Sequence, residues 1–445
     1  MFETVTLAGD VRSQIARFDD VRPVAVAPCH SPEDVAAALA FARREGLDLA
    51  LRSGGHCFAG RSSTTGVLVD VGPMHHVSVG EGTVTVGAGA RLNELYDALA
   101  AHGRTIAAGC GPTVGIAGLA LGGGLGILGR SHGLTTDQIV AMRAVLAGGR
   151  IVECDEQRDV ALFWALRGAG GGQFAAVTEL VLRTLPAPQA TAFYLLWPYE
   201  AAARVASAWQ GWSPDAPEAI AASLVIKAIA GGARPSVLVF GALLDDEPAA
   251  RRALAEFVER ADVQPAKAVF VEAPYREVKR HLAEYDVAAG VRRAVERDPG
   301  HSYSKSEFFR RELTADAIEA LLNHFTESAQ ARVLDFTPWG GAYNRVPVDA
   351  TAFAHRAERF LLKQEVVVEA TADDAEREAA RGWLARSWEL VHPYGSGGVY
   401  PNFPDPDLDD WARAYHGPNL ERLMRVKAEY DPGNVFRFAQ SVPPA

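Results

Sequence analysis

The segment that most constrains the fold runs from Gly109 to Gly126, where eight of eighteen residues are glycine and most of the others are small and apolar. Glycine has no Cβ, so a backbone this rich in glycine can lie flat against a ligand. A second glycine-rich stretch, 168–172, follows the apolar run 162–166 and repeats the pattern at the end of a predicted helix. Both segments therefore indicate backbone that closely approaches a bound molecule.

The loop 52–60, with the sequence Arg-Ser-Gly-Gly-His-Cys-Phe-Ala-Gly, follows the apolar run 49–51. A strand that enters two glycines predicts a tight loop whose backbone N–H groups point into one concavity, and such a nest attracts phosphate. Arg52 would add positive charge, and His56 would lie at the lip of a cofactor site with a nucleophilic imidazole. Taken alone, these nine residues fit equally well a turn with an ordinary surface histidine.

Together these three segments resemble the PCMH-type FAD-binding domain of the vanillyl-alcohol oxidase superfamily and, within it, the berberine bridge enzyme-like oxidoreductases. The C-terminal part is similar to the same family through the pattern Tyr400-x-Asn402 and the run 430–436, Tyr-Asp-Pro-Gly-Asn-Val-Phe. The resemblance extends over most of the chain and is loose in the middle. It implies that FAD is the cofactor and that His56 carries a covalent bond to the 8α-methyl group of the flavin.

The resemblance also implies which residues contact the cofactor, and they come from four parts of the chain. The predicted cofactor-binding residues are Arg52, Ser53, Gly54, Gly55, His56, Cys57, Phe58, Ala59, Gly60 and Ser62; Cys110, Gly111, Pro112, Thr113, Val114, Gly115, Gly118, Gly122, Gly123 and Gly126; Gly172 and Val177; and Asn402. At 171–175 the sequence Gly-Gly-Gln-Phe-Ala replaces the family's frequent Gly-Gly-Asn-Phe-Gly, a mild change that retains small residues.

A second covalent link to the flavin is the less favoured alternative. Many relatives attach it also through a cysteine directly before Pro-Thr-Val-Gly, but here Gly111 occupies that position and Cys110 lies one place earlier. A shift of one residue moves a sulfur by roughly 3.5 Å and turns its side chain away. We therefore expect attachment through His56 alone, with Cys110 packed as a small residue beside the flavin ring.

Tyr400 is predicted, by the same resemblance, to stand over the flavin as catalytic base or proton shuttle. An unperturbed phenol has a pKa of about 10, so Tyr400 needs a stabilising neighbour to act near neutrality. Tyr343, in the segment 339–345, is the second catalytic candidate. Tyr303 and Lys305 are weaker candidates, and each of these three residues fits a pocket wall or a sheet better than a catalytic role.

Val114 bears on what reoxidises the flavin. In the resembled family this position lines the approach to the C4a–N5 edge, and valine tends to accompany oxidases while leucine or isoleucine accompanies dehydrogenases. The explanation is steric, because dioxygen needs a small void on that face of the flavin. Simple core packing is the other interpretation of the same residue.

The resemblance implies an FAD-dependent oxidase that takes a hydride from a small organic substrate, a secondary metabolite or sugar-like alcohol, onto flavin N5. Dioxygen would then reoxidise the flavin and give hydrogen peroxide. A flavin dehydrogenase with another electron acceptor and a redox-silent flavin-binding protein remain alternatives. A dinucleotide dehydrogenase fails on spacing, since 118–126 is not a G-x-G-x-x-G at a first strand–helix turn. Two aromatic pairs, Trp209 with Trp212 and Trp339 with Tyr343, could stack on a substrate.

Composition limits the partners. A net charge of −11 argues against a nucleic-acid or anionic-membrane surface. Four cysteines without C-x-x-C spacing predict no disulfide framework, and the histidines show no metal-ligand spacing. The N-terminus shows no signal peptide and no run approaches a membrane span, so we expect a cytoplasmic enzyme, monomeric or homodimeric.

The order of predicted elements gives an α+β fold. Residues 1–187 are predicted to form a two-part α/β FAD-binding domain, 188–396 a substrate domain with a large antiparallel sheet backed by helices, and 397–445 a segment that returns to the first domain. In the substrate domain, strands are predicted at 222–229, 236–244, 266–272, 331–337 and 361–369, and helices near 200–212, 247–260, 275–288, 314–328 and 371–390.

Overall fold

The computed structural model describes residues 13–231, 234–286, 291–292 and 300–445, and it confirms the predicted α+β class. The first part of the chain carries a three-stranded parallel sheet and a five-stranded antiparallel sheet. Its strands are β1 (Ala25–Pro28), β2 (Leu49–Arg52), β3 (Val67–Asp70), β4 (Val77–Val79), β5 (Thr83–Gly87), β6 (Arg104–Thr105), β7 (Ile139–Val145), β8 (Ile151–Asp155), β9 (Ala176–Arg183) and β10 (Leu185–Pro186). Its helices are α1 (Pro32–Glu45), α2 (Leu92–Ala100), α3 (Ile116–Leu121), α4 (Gly129–His132) and α5 (Val160–Leu166).

Helix α1 shows how local sequence sets an element boundary. Ser31 accepts the backbone N–H of Asp34 at 3.2 Å, and the Asp34 carboxylate accepts the N–H of Ser31 at 2.9 Å, so the two residues form a capping box. Pro32 occupies the first turn, where its missing N–H costs nothing. Gly46, at φ +66°, ends the helix in the left-handed conformation.

The second part of the chain is built on a seven-stranded antiparallel sheet with the order β14-β11-β13-β12-β18-β19-β17. The strands are β11 (Gln189–Pro198), β12 (Ile220–Ala228), β13 (Ser236–Leu243), β14 (Lys267–Pro274), β15 (Tyr285–Asp286), β16 (Val291–Arg292), β17 (His301–Phe309), β18 (Ala331–Pro338) and β19 (Phe360–Val368). The helices are α6 (Ala202–Trp212), α7 (Glu247–Ala261), α8 (Tyr275–Glu284), α9 (Ala315–Phe325), α10 (Ala342–Arg345) and α11 (Asp374–Val391).

One face of this sheet packs against helices and forms the second core. Leu224, Ile226 and Leu334 are fully buried there, and so are Trp209 and Trp212 of α6. The expectation that Trp209 and Trp212 could stack on a substrate is therefore wrong, because both rings are enclosed between helix and sheet. Trp209 instead donates its indole N–H to the carbonyl oxygen of Ala222 at 2.8 Å.

Two strands of this sheet escaped prediction from the sequence. Strand β11 is apolar almost throughout and buried on both faces, so it lacks the alternation that identifies a half-buried strand. Strand β17 lies at the sheet edge and is largely polar in its first half. Helix α8 ends at Glu284, four residues short of the predicted end at 288, and residues 287–288 lie outside the described part of the chain.

The last fifty residues form α12 (Trp411–His416) and α13 (Leu420–Tyr430) and then an irregular tail. Leu423, Val426 and Phe436 pack into the same core as Leu166 and Phe174 of the first domain. The end of the chain thus packs against the first part of the chain. Within the described residues no helix is both long enough and apolar enough to cross a membrane.

Candidate active site

A cavity of about 1000 Å³ lies where the loop 48–64, the glycine-rich segment, residues 170–177 and the C-terminal segment meet. A cavity of this size is at the upper end for small-molecule sites. The predicted site residues that line it are Arg52, Ser53, Gly54, Gly55, His56, Cys57, Phe58, Ala59, Gly60, Ser62, Gly111, Val114, Gly115, Gly118, Gly172, Val177, Tyr400 and Asn402.

The loop that carries His56 presses directly against the glycine-rich segment. A Cβ built on Gly54 would lie 2.2 Å from the nitrogen of Gly115, and one on Gly115 would lie 2.1 Å from the Ser53 hydroxyl. Only glycine therefore allows the two backbones to meet at this point. Ser53 is itself fixed, since its hydroxyl donates to the carbonyl oxygen of Ala88 at 2.7 Å.

His56 lies beside Thr113 at this junction. Its Nε2 is 3.0 Å from the Thr113 hydroxyl oxygen, although the two residues are 57 positions apart in the sequence. Burial and, secondarily, the positive charge of Arg91 lower the pKa of His56 to about 4. The imidazole is consequently neutral near pH 7 and retains one nitrogen lone pair.

Arg52 lines the cavity but its guanidinium is directed at its own loop. Its Nε donates to the carbonyl oxygen of Ser62 at 2.9 Å, and Nη2 to the Ser63 hydroxyl at 3.3 Å. This side chain braces the 52–63 loop, and the predicted role of Arg52 in attracting phosphate stays a prediction.

The Tyr400 hydroxyl is surrounded by N–H donors. It accepts from the backbone N–H of Gly124 at 2.8 Å, from that of Leu125 at 3.3 Å, and from the side-chain amide of Asn402 at 3.2 Å. Burial raises the pKa of Tyr400 to about 12, and the three donors act in the opposite direction. These donors are the stabilising neighbours that the sequence could not name.

Tyr343 does not line the cavity, and its hydroxyl is occupied by backbone. It donates to the carbonyl oxygen of Gly126 at 3.0 Å and accepts the N–H of the same residue at 3.2 Å. Its ring stacks on that of Trp339, with centroids 4.3 Å apart, and burial raises the pKa of Tyr343 well above its ordinary value. The structure thus replaces the predicted catalytic role with a structural one, because the phenolic hydrogen is already committed.

Cys110 also lies outside the cavity lining. Its side chain packs against an apolar cluster between the two domains that includes Ile127, Leu128 and Tyr275. The neighbouring Lys279, buried to 1 % exposure, donates to the carbonyl oxygen of Ala108 at 2.7 Å and so anchors the backbone just before the cysteine. Cys110 thus packs against the substrate domain, and its predicted place beside the flavin ring stays a prediction.

The remaining predicted residues outside the lining are Pro112, Thr113, Gly122, Gly123 and Gly126. A Cβ on Gly122 would lie 2.1 Å from the amide oxygen of Asn402, and one on Gly123 would lie 3.1 Å from the Tyr400 ring. These glycines thus let Tyr400 and Asn402 approach the backbone closely.

Several lining residues were not predicted, and one group of them comes from the chain's end. Arg437, Phe438, Gln440 and Ser441 line the cavity, as does Arg61. Arg61 donates to the amide oxygen of Gln440 at 2.9 Å and lies over the Phe438 ring at 4.4 Å. The run 430–436 pointed to this segment, but no residue pattern beyond it marked a ligand contact.

The cavity's lining fits FAD by two observations. A Cβ on Gly118 or Gly172 would meet no protein atom within 4 Å, so a side chain at either position would enter the cavity. The hydroxyl oxygen of Ser62 and the amide oxygen of Asn434 are buried without a hydrogen-bond partner among the described residues, and both residues line the cavity. A flat ligand rich in hydrogen-bonding groups would match both features.

Comparison with known proteins agrees with this site. Residues 23–155 match the family model described as FAD binding domain, and residues 399–443 match the model described as berberine and berberine like. An uncharacterized FAD-linked oxidoreductase of Bacillus subtilis (strain 168), YvdP, is 31 % identical over 435 residues, which span 96 % of this chain and 94 % of that protein. Chitooligosaccharide oxidase of Gibberella zeae is 29 % identical, over 95 % of this chain and 87 % of that protein.

Among solved structures, glucooligosaccharide oxidase from Acremonium strictum superposes with a TM-score of 0.86 at 26 % identity, covering 98 % of this chain and 94 % of that one. The fold and the cavity define an FAD-linked oxidoreductase. The chain belongs to the berberine bridge enzyme-like family of FAD-linked oxidoreductases, and FAD is its cofactor.

Proposed function

We propose that this enzyme is an oxidase whose FAD is joined covalently to His56 and whose substrate is a small polar molecule oxidised beside Tyr400. The observation that carries the proposal is that His56 and Tyr400, 344 positions apart in the sequence, line one cavity. Chitooligosaccharide and glucooligosaccharide oxidases are among the proteins to which the chain is similar, which supports an oxidase.

When bound, FAD supplies a two-electron acceptor that takes a hydride from the substrate and passes the electrons to dioxygen, giving hydrogen peroxide. The chain's own contribution is to handle the substrate proton at the Tyr400 hydroxyl oxygen. The N–H groups of Gly124, Leu125 and Asn402 hold that oxygen in place and stabilise negative charge on it. Because the oxygen accepts all three donors, its own hydrogen is left for a ligand in the cavity.

Covalent attachment is supported by the neutral imidazole of His56. An N–C bond to the 8α-methyl replaces one imidazole N–H and one methyl C–H, and dioxygen, through the flavin, takes up the two electrons and two protons released. The glucooligosaccharide oxidase structure is described as carrying a 6-S-cysteinyl, 8α-N1-histidyl FAD. Here the position of Cys110 outside the cavity lining favours the histidyl bond alone.

A polar substrate is supported by charged residues near the cavity-lining Phe58. The Lys363 ammonium lies 4.4 Å from the centroid of Phe58, which lines the cavity, and pairs with Glu365 at 2.6 Å. Asp335 is the residue opposite Lys363 on the neighbouring strand, and burial raises its pKa to about 6. Partly buried charges of this kind favour a substrate with hydroxyl or other hydrogen-bonding groups over a hydrocarbon.

The proposal is tested by protein chemistry and a substrate screen on one sample. Acid precipitation of the holoenzyme should leave flavin in the pellet and raise the intact mass by one FAD, and Cys110→Ala should behave likewise. His56→Ala should release its flavin to the supernatant. A colourless wild-type pellet would refute the covalent bond.

The screen follows hydrogen peroxide with sugar-like alcohols and secondary metabolites as substrates. Peroxide released in proportion to substrate consumed is the expected result. Substrate-dependent bleaching of the flavin without peroxide would instead identify a dehydrogenase that uses another acceptor. If no substrate of the related oxidases bleaches the flavin, the result would favour a redox-silent flavin-binding protein.

A further inference from the structure

The geometry points to Thr113 as a positioning residue that selects which nitrogen of His56 bonds to the flavin. The inference rests on the proposed covalent link and goes beyond it, because Thr113 lies outside the cavity lining and acts only through His56. Its hydroxyl oxygen is 3.0 Å from His56 Nε2. That distance is a hydrogen bond, and its direction decides the chemistry of the ring.

A neutral imidazole has one N–H and one lone pair, so a bond at one nitrogen fixes the state of the other. If Thr113 Oγ1 accepts the Nε2–H, the lone pair is on Nδ1, and Nδ1 is the nucleophile. With an apolar side chain at 113, the hydroxyl partner of Nε2 is lost, the preference for the tautomer with its proton on Nε2 weakens, and both tautomers should be populated. With Oγ1 as the acceptor, Thr113 selects attack by Nδ1.

Thr113 is itself held in place through its backbone. Arg91 Nη1 donates to the Thr113 carbonyl oxygen at 2.6 Å, and Arg91 also pairs with Gly115 through an isolated antiparallel bridge. The close contact of Gly54 with Gly115 fixes the distance between the two loops. Arg91 thus acts on both partners of the His56–Thr113 hydrogen bond: it anchors Thr113, and its charge helps to keep His56 neutral.

Two other titratable groups of the cavity wall, Arg52 and Tyr400, form their hydrogen bonds with partners other than the His56 ring. Arg52 on the same loop is directed to Ser62 and Ser63, and Tyr400 on the cavity wall is held by Gly124. Thr113 is the residue whose side chain is hydrogen-bonded to the ring.

The test uses the full chain expressed under riboflavin limitation and then mixed with FAD. Attachment is followed as acid-stable flavin fluorescence in denaturing gels, and the aminoacyl flavin released by proteolysis is compared with Nδ1- and Nε2-linked standards. Wild type and Thr113→Ser should attach at rates within about twofold of each other and give the Nδ1 isomer. Thr113→Val should attach up to about fivefold more slowly, which is the effect of losing one hydrogen bond, and it should give a mixture of isomers.

Thr113→Val that forms the Nδ1 isomer alone at the wild-type rate would overturn the inference. Should that variant fail to fold by circular dichroism, Thr113→Ala replaces it, since it removes the same hydroxyl with a smaller side chain; unchanged rate and isomer there would equally overturn it. Wild type that forms no acid-stable flavin would reject the proposed covalent link itself, which is a different failure.

Discussion

At the scale of single residues, Tyr400 shows two opposing effects on one atom. Burial of the ring at 2 % exposure disfavours the phenolate, whereas three N–H donors favour it, and burial is the larger effect. The resulting pKa of about 12 means that the ligand-free phenol is protonated at neutral pH. Only the phenolate can accept the substrate proton, so its small population should limit the reductive step.

Tyr400→Phe should therefore slow anaerobic reduction of the flavin by substrate by about 10²- to 10⁴-fold, the usual effect of losing a general base. In the wild type the rate should rise between pH 7 and pH 10, because the phenolate fraction increases tenfold per unit below its pKa, and in the variant this rise should disappear. Stopped-flow reduction at several pH values measures both. The variant should keep its acid-stable flavin, and reduction at the wild-type rate would remove Tyr400 from the mechanism.

Val114 should act on the other half-reaction. It lines the cavity and is half-buried, and a Cβ on Gly111 would lie 2.9 Å from its Cγ2, so a longer side chain must extend toward the cavity or move this turn. Val114→Leu should leave reduction near normal and slow reoxidation of the dithionite-reduced enzyme by dioxygen. Mixing with oxygenated buffer in a stopped-flow instrument measures this rate. Val114→Ala is the matched control, with reoxidation as fast as the wild type or faster; equal rates in all three proteins would place the void elsewhere.

The sequence predicted those site residues that belong to a short motif, and it missed those whose role depends on contacts made only in the folded chain. His56, Val114 and Tyr400 belong to short motifs that can be recognised in the sequence alone, and all three line the cavity. Arg91 and Arg61 have no such pattern, since each acts through a backbone carbonyl or an amide brought close only by folding. The catalytic role predicted for Tyr343 was not supported for the same reason, because its hydrogen bond to Gly126 can be recognised only in the folded chain.

At the scale of elements, the C-terminal segment depends on one buried ion pair. Lys427 of α13 donates to the Asp431 carboxylate at 2.7 Å, and both side chains have no exposed surface. The same ammonium donates to the carbonyl oxygens of Phe436 and Gln173 at 2.6 and 2.5 Å. Since Gln173 follows the cavity-lining residues 170–172, this pair joins the end of the chain to the wall of the site.

Lys427→Met should lower the free energy of unfolding by about 3–5 kcal/mol, because it leaves the Asp431 carboxylate buried without its counter-charge. Urea denaturation of the two proteins at pH 7.5 measures the difference. Lys427→Met combined with Asp431→Asn should recover part of the loss, since no buried charge then remains. A single variant as stable as the wild type would show that water reaches the site.

Elements were predictable where a local signal sets their ends. Helices α1 and α7 begin at an N-cap serine or aspartate with proline in the first turn, and the predicted range of α7, 247–260, lies within one residue of its ends. Strand β17 gave no such signal, because its pairing with β19 joins segments about fifty residues apart and its edge position lets polar residues stand at either face. Non-local pairing is a property of the sheet and leaves little trace in one strand.

At the scale of the whole molecule, buried polar contacts fix the two domains against each other. Arg130 of α4 is 2 % exposed and donates to the carbonyl oxygens of Pro214, Ala216 and Ile220 at 2.6–2.9 Å. Arg356 forms a buried pair with Asp137 at 2.6 Å. These contacts join the segment after the glycine-rich turn to the sheet domain, so the cavity keeps its shape between them.

Two buried histidines couple this assembly to pH. His416 of α12 is 1 % exposed, and neither of its ring nitrogens has a hydrogen-bond partner among the described residues; His355 lies nearby and donates to the carbonyl oxygen of Tyr415 at 3.2 Å. Burial lowers the pKa of each to about 3, against about 6.5 in an unfolded chain. Between these values the unfolded state binds protons that the folded state does not, so stability is full above pH 6.5 and falls as the pH decreases toward 3.

Each histidine should cost about 1.4 kcal/mol of stability per pH unit once the pH is well below 6.5. His416→Phe should therefore match the wild type or exceed it at pH 7.5, because no hydrogen bond is lost, and should lose markedly less stability between pH 6.5 and pH 5. Urea denaturation at pH 7.5, 6.5 and 5.0 measures this slope, with His102→Gln at an exposed position as the control that leaves it unchanged. An identical slope in His416→Phe and the wild type would mean that the folded protein takes up the proton as readily as the unfolded chain, and His416 would then lie in a wetter site than its burial indicates.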